Sequence, residues 1–158
     1  MNDKLQLYQE TIAIWNNLCD LHKQLFEITS EEYLHLLSSE VEKVEDSIKE
    51  KERVISKIAN TDETRSNLLA KINKKYSQEI DNFFELNNFF SNLTFEQKNK
   101  HLDKFNRVLK DLINNIQKQN KTNQLFINKA IMSLDKIKNA GAGNKNYSLY
   151  NSGGALKR

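Results

Sequence analysis

No proline occurs anywhere in the 158 residues, and the four glycines (Gly141, Gly143, Gly153 and Gly154) all fall in the last eighteen. Glycine and proline are the strong breakers of helices. Their absence from residues 1–140 therefore permits very long helices. No glycine turn between alternating apolar residues announces a hairpin of strands. With 28% charged and 38% hydrophobic residues, the composition suits amphipathic helices better than a thick globular core. The expected fold is all-α.

Apolar spacing divides the chain into about four helices. Over residues 3–37 two heptad stripes run side by side. One comprises Leu5, Tyr8, Ile12, Trp15, Cys19, Phe26 and Tyr33, the other Leu7, Ile14, Leu18, Leu21, Leu25 and Ile28. Adjacent stripes make a wide apolar face that touches more than one neighbour. Near residue 37 the phase shifts, and Leu37, Val41, Val44, Ile48, Ile55 and Ile58 form a narrower stripe. Ser38-Ser39 sits at the shift, and Ser39 with Glu42 matches a capping box. A second helix is expected over 40–59. Asn60-Thr61-Asp62 reads as a stop and cap, so a third helix is placed at 62–91, carrying Leu69, Ile72, Tyr76, Phe83, Leu86 and Phe90. Thr94 and Gln97 resemble another capping box ahead of a fourth helix, 95–139. At 1.5 Å per residue that helix is roughly 67 Å long. The expected architecture is an elongated antiparallel helical bundle or coiled coil over 1–139, followed by a flexible tail, 140–158.

The last helix is interrupted in an informative place. Leu102, Phe105, Leu109, Leu112 and Ile116 keep a clean seam, which then meets Gln119 and Asn123 inside the polar run QKQNKTNQ, residues 117–124. Apolar residues resume at Leu125, Phe126, Ile127, Ile131, Leu134 and Ile137. A buried polar residue in a seam fixes register and partner number at some cost in stability. A two-turn gap also marks where a helix leaves its own bundle, which would free the apolar face beyond it for a partner. Periodicity alone favours the first reading.

The formal net charge of +3 conceals an asymmetry. Residues 1–95 hold 11 Lys/Arg against 17 Asp/Glu, whereas residues 96–158 hold 13 against 4. The basic half could meet nucleic acid, an acidic membrane or an acidic protein, or complement the acidic half within the fold. Internal complementation is the expectation. The basic residues of the last helix read as spread around it, and no helix-turn-helix or zinc-finger pattern occurs, so no nucleic-acid partner is expected. A single cysteine, Cys19, excludes an intrachain disulfide framework and sits on an apolar stripe as a small core residue. Glu32-x-x-His35 has the spacing of a metal-ligand pair, but neither His22 nor His101 completes a second. No P-loop, GxGxxG or nucleophile elbow appears. Neither an enzyme nor a bound metal or cofactor is expected. The N-terminal MNDKLQLYQE lacks an apolar stretch of signal-peptide length, and no apolar run approaches a membrane span, so the expected location is cytoplasmic.

Three features, in order along the chain, give a resemblance to the FlgN-type flagellar export chaperones. They are the charged Lys51-Glu52-Arg53-Val54-Ile55 of the second helix, the N-x-x-N step Asn120-Lys121-Thr122-Asn123 entering the apolar stretch from Leu125, and Leu149-Tyr150 followed by Gly153-Gly154 in the tail. The resemblance implies a non-enzymatic, cytosolic chaperone for the hook-associated proteins FlgK and FlgL, which it hands to the export gate protein FlhA. It further implies capture of the client by Leu125, Phe126, Ile127, Ile131, Leu134 and Ile137. Asn120 and Asn123 would be family-motif positions, and Leu149 and Tyr150 would dock at the gate, with Tyr147 a second candidate. On this view the polar run is the border between self-packing and partner-binding faces. The chain departs from the pattern in its lysine- and asparagine-rich surface, its long third helix and its Lys157-Arg158 end. A coiled-coil adaptor, another type of secretion chaperone and a nonspecific nucleic-acid binder are the alternatives.

Overall fold

A computed structural model describes residues 2–141, and Leu149, Tyr150 and the rest of the tail lie outside them. Five helices follow in order: α1 (Asn2–Leu37), α2 (Val41–Tyr76), α3 (Phe83–Phe90), α4 (Thr94–Asn99) and α5 (His101–Gly141). No strand occurs among the described residues. The protein is an all-α helical bundle. The described residues divide into two compact units, one built from residues 2–24 and 53–113, the other from residues 25–52 and 114–141.

The boundaries differ from the expectation at three places, each for a local reason. α2 runs straight through Asn60-Thr61-Asp62. These residues have modest helix propensity, costing tenths of a kcal/mol each, whereas ending the helix leaves four carbonyls and four N–H groups without intrahelical partners. The Thr61 hydroxyl donates back to the Lys57 carbonyl (3.0 Å), and Asp62 pairs with Arg65 at 2.8 Å. The true stop is Ser77, whose left-handed backbone (φ 52°) lets the Gln78 N–H reach back to the Asn73 carbonyl at 3.1 Å, closing a Schellman motif. Asn73 then clamps the reversal, because its side chain bonds both the N–H (2.9 Å) and the carbonyl (3.0 Å) of Ile80.

The expected third helix is therefore the end of α2 plus the eight-residue α3. Asn82 caps α3 by accepting the Glu85 N–H (2.9 Å), and Glu85 accepts the Asp81 N–H in return (3.1 Å). The last helix begins at His101, not 95, because Lys100 turns left-handed (φ 49°) and splits off α4. The Glu96 carboxylate then accepts the Leu102 N–H at 3.3 Å, satisfying a donor in the first turn of α5. The break near Ser38-Ser39 is present, but Ser39 is left-handed (φ 55°) and ends α1. An N-cap needs extended backbone there. Here Glu40 N–H bonds the His35 carbonyl and Ser39 N–H the Leu36 carbonyl, a second Schellman motif.

The first unit centres on Leu7, Tyr8, Trp15, Leu68, Ile72, Ile80, Leu86, Phe90 and Leu102. Aromatic rings tie its elements together, with Tyr8 5.4 Å and Phe89 4.9 Å from Phe90 and Trp15 6.0 Å from Phe83. Tyr8 donates to Glu96, and burial together with that carboxylate pushes the phenol above its ordinary value of 10. Cys19 is buried, donates to the Phe105 carbonyl at 3.3 Å, and has its thiol pushed up by burial, which suits a packing role. The second unit is a three-helix arrangement of the end of α1, the start of α2 and the larger part of α5. Its core holds Val44, Ile48 and Ile127, with Leu36 and Ile131 packed against them.

Candidate functional site

The polar run of α5 lies inside the second unit. Asn123 is 2% exposed and faces Glu32, which is 1% exposed. The Asn123 amide donates to Glu32 Oε1 (2.8 Å) and to the Thr29 carbonyl (3.0 Å), while Gln119 donates to Asn123 Oδ1 (2.9 Å). Lys51 reaches in from α2, donating to Asn120 Oδ1 at 3.0 Å and standing 3.5 Å from Glu32 Oε2. Positions three apart share a helix face, so Asn120 and Asn123 together meet one carboxylate and one ammonium. Burial pulls the Lys51 ammonium below its ordinary 10.5, with Glu32 acting in the opposite direction.

This geometry is that of a register-fixing polar seam. It corrects the expectation that the run borders a partner-binding face, because Ile127 and Ile131 pack against α1 and α2 beyond it. Packing of α5 within the unit continues past the run. Asn123 beside Thr29 and Glu32, and Phe126 edge-on to Tyr33 at 6.3 Å, set α1 and α5 parallel. Lys51 beside Asn120, and Val44 and Ile48 beside Ile127, set α2 antiparallel. Equal rise along the helices then brings the ends of α1 and α2 level with about residue 130 of α5. From there α5 continues for roughly another 15 Å to Gly141.

The residues expected to bind a partner accordingly separate. Ile127 is core, and Phe126 and Ile131 are half-buried. Leu134 and Ile137, on the overhang, are 47% and 68% exposed. Leu34, Leu37 and Val41 are exposed at the same end of the unit. Leu125 is also exposed but roughly opposite Ile127 and Leu134 around the helix, on the same side as Met132. Leu149 and Tyr150 lie outside the described residues.

A groove of about 300 Å³ in the first unit holds His22 and Arg65, but His22 Nδ1 is hydrogen-bonded to the Leu18 carbonyl at 2.7 Å and Arg65 to Asp62. Glu32 belongs to the polar seam, and no cluster of three or more possible metal ligands forms among the described residues. Nor is any helix among them long and apolar enough to cross a membrane.

The family model described as FlgN protein matches residues 1–158, the whole length of the chain. The chain belongs to the FlgN family. Its general role is that of a flagellar export chaperone, a protein that binds flagellar proteins. No curated protein and no solved structure matches the chain.

Proposed function

We propose that this FlgN-family chain holds the hook-associated proteins FlgK and FlgL in the cytoplasm through the apolar face of the end of α5 and delivers them to the export gate protein FlhA. The observation that carries this reading is the overhang of α5 past the α1–α2 turn, with Leu134 and Ile137 exposed there. An exposed apolar side chain at the end of a hairpin suits a helical client segment that completes the bundle. Half-buried Phe126 and Ile131 would extend the contact toward the core, while Leu34, Leu37 and Val41 offer a flank to the client. Burying Leu34, Leu37, Val41, Leu134 and Ile137 is worth about 1–2 kcal/mol each at their present exposure. That sum only modestly exceeds the lower estimates of the cost of association. A client therefore has to supply apolar side chains of its own. Leu149 and Tyr150 are proposed as the gate anchor, a leucine beside an aromatic ring with only two torsions to order on docking.

Co-purification with FlgK or FlgL tests the first step. Leu134→Asp or Ile137→Asp should abolish the complex without lowering helix content, since neither side chain is core. Failure of the unaltered chain to form a complex with either client refutes the reading. For the second step, Tyr150→Ala should leave client binding unchanged and weaken FlhA binding. Unchanged affinity for FlhA rules out the anchor.

A further inference from the structure

The outward side of α5 in the second unit carries one continuous stripe: Lys118, Lys121, Leu125, Lys129, Met132 and Lys136. Successive spacings of three and four keep all six within about 80° around the helix axis, facing away from Ile127. All six are exposed. This corrects the expectation that the basic residues of the last helix are spread around it. It also changes the expectation of internal complementation. Residues 25–52 of the same unit hold nine Asp/Glu against three Lys. Yet none of the four stripe lysines forms an ion pair among the described residues.

A merely solvated helix face interleaves both signs, because pairs three or four apart help the helix. Such pairs occur elsewhere in the chain, between Lys43 and Glu40 and between Arg65 and Asp62. The stripe differs in two respects. No carboxylate occurs from residue 112 to 134, and two apolar side chains seven residues apart lie among the lysines. We infer that the stripe docks an amphipathic helix of a protein partner, one whose apolar seam is flanked by Asp and Glu. That the partner is an exported client rests on the proposed function; the acidic helical chemistry is what the stripe adds to it.

The shape favours a helix over other acidic surfaces. The apolar track is one side chain wide and two turns long, which matches a helix crossing α5 at a shallow angle. Interfacial membrane binding requires a broad apolar face. Nucleic-acid backbones offer phosphates but no apolar groove for Leu125 and Met132. The acid-rich α1–α2 side repels the same partner, so charge also fixes which side of the unit it approaches.

Two designed helical peptides, with one leucine seam flanked by Glu in the first and by Lys in the second, test the inference by fluorescence anisotropy on the full chain. The Glu peptide should bind, more tightly as salt is lowered, and the Lys peptide should not. Lys121→Glu/Lys129→Glu should weaken the Glu peptide by about tenfold or more and admit the Lys peptide. Leu125→Asp should weaken the Glu peptide too. Equal binding of both peptides, or indifference to the double variant, overturns the inference. So does capture of the chain by phosphatidylglycerol vesicles, dependent on the same lysines, when the Glu peptide does not bind. Co-purification separates this from the proposed function. A FlgK or FlgL complex lost with Leu134→Asp but intact with Lys121→Glu/Lys129→Glu leaves the proposed function standing and removes the stripe from it.

Discussion

Lys51→Met is the sharpest probe of the polar seam. Methionine keeps an unbranched stem of similar length, so little cavity opens. The substitution removes the ammonium 3.5 Å from Glu32 and the 3.0 Å hydrogen bond to Asn120. Glu32, 1% exposed, then keeps the Asn123 amide but loses the Lys51 ammonium. Breaking a buried pair from one side costs about 3–5 kcal/mol. At a urea dependence of about 2 kcal/mol per molar, the midpoint should fall by about 1.5–2.5 M. The combined replacement Glu32→Leu, Lys51→Met, Asn123→Leu should behave oppositely. Taking two charges out of water costs about as much as their attraction returns, and burial pulls the Lys51 ammonium down while Glu32 acts in the opposite direction. Removing both charges together is then neutral or stabilising, by up to about 4 kcal/mol. Urea unfolding followed by far-UV circular dichroism measures both variants, and hydrogen exchange over 25–52 locates the effect. A loss below about 1 kcal/mol for Lys51→Met would show that water reaches Glu32. A triple variant as unstable as the single one would refute the desolvation argument.

Tyr8→Phe should flatten the alkaline loss of stability. The folded phenol titrates above its unfolded value of 10, so its contribution is complete below pH 10 and lost as pH rises beyond; urea midpoints of the two chains that run parallel from about pH 9 to 11 count against this. Thr61→Pro should destabilise by about 3 kcal/mol or more, because it removes an interior hydrogen bond of α2 and clashes with the preceding turn. A small effect in thermal unfolding would mean that the helix yields there, as the Asn60-Thr61-Asp62 signal first suggests.

Those boundary errors show what apolar phase can reveal. Leu37 and Val41 open a stripe out of register with α1, and the chain does turn at Ser38-Ser39. From Ile58 to Leu69 is eleven residues, close to three full turns, so the apolar face continues in phase across Asn60-Thr61-Asp62. A polar cluster without a phase shift is a weak stop. Asn82-x-x-Glu85 was a legible capping box, hidden because Phe83, Leu86 and Phe90 also extend the stripe of α2. Lys100 carried no signal at all, since nothing in its side chain favours left-handed backbone. At the site, local pattern identified the polar run and the apolar residues after it. It could not say that Glu32 and Lys51 would come to meet Asn123 and Asn120, because those partners arrive from distant parts of the chain. Nor could a flat stripe reading separate Leu125 from Leu134, which face opposite ways on one helix.

The polar seam and the exposed end of α5 are linked by register. In an apolar seam a helix can slide by a heptad and still bury comparable side chains. Here a slip of seven residues would bring Ile116 or Ala130 to the place of Asn123, opposite Glu32 and Lys51. Asn120 would leave the Lys51 ammonium in the same step, and the carboxylate would lose its amide. The penalty is several kcal/mol, that of a buried pair stripped of hydrogen bonds. A slip of that size moves α5 by about 10 Å, most of the overhang past the α1–α2 turn. Under the proposed function, Asn120 and Asn123 would act on client capture without touching a client, by fixing how far Leu134 and Ile137 project. Their substitution by leucine, together with Glu32→Leu and Lys51→Met, should raise stability yet reduce the yield of FlgK or FlgL complex, because several registers then compete. A more stable chain that captures its clients as well as before would separate the seam from function.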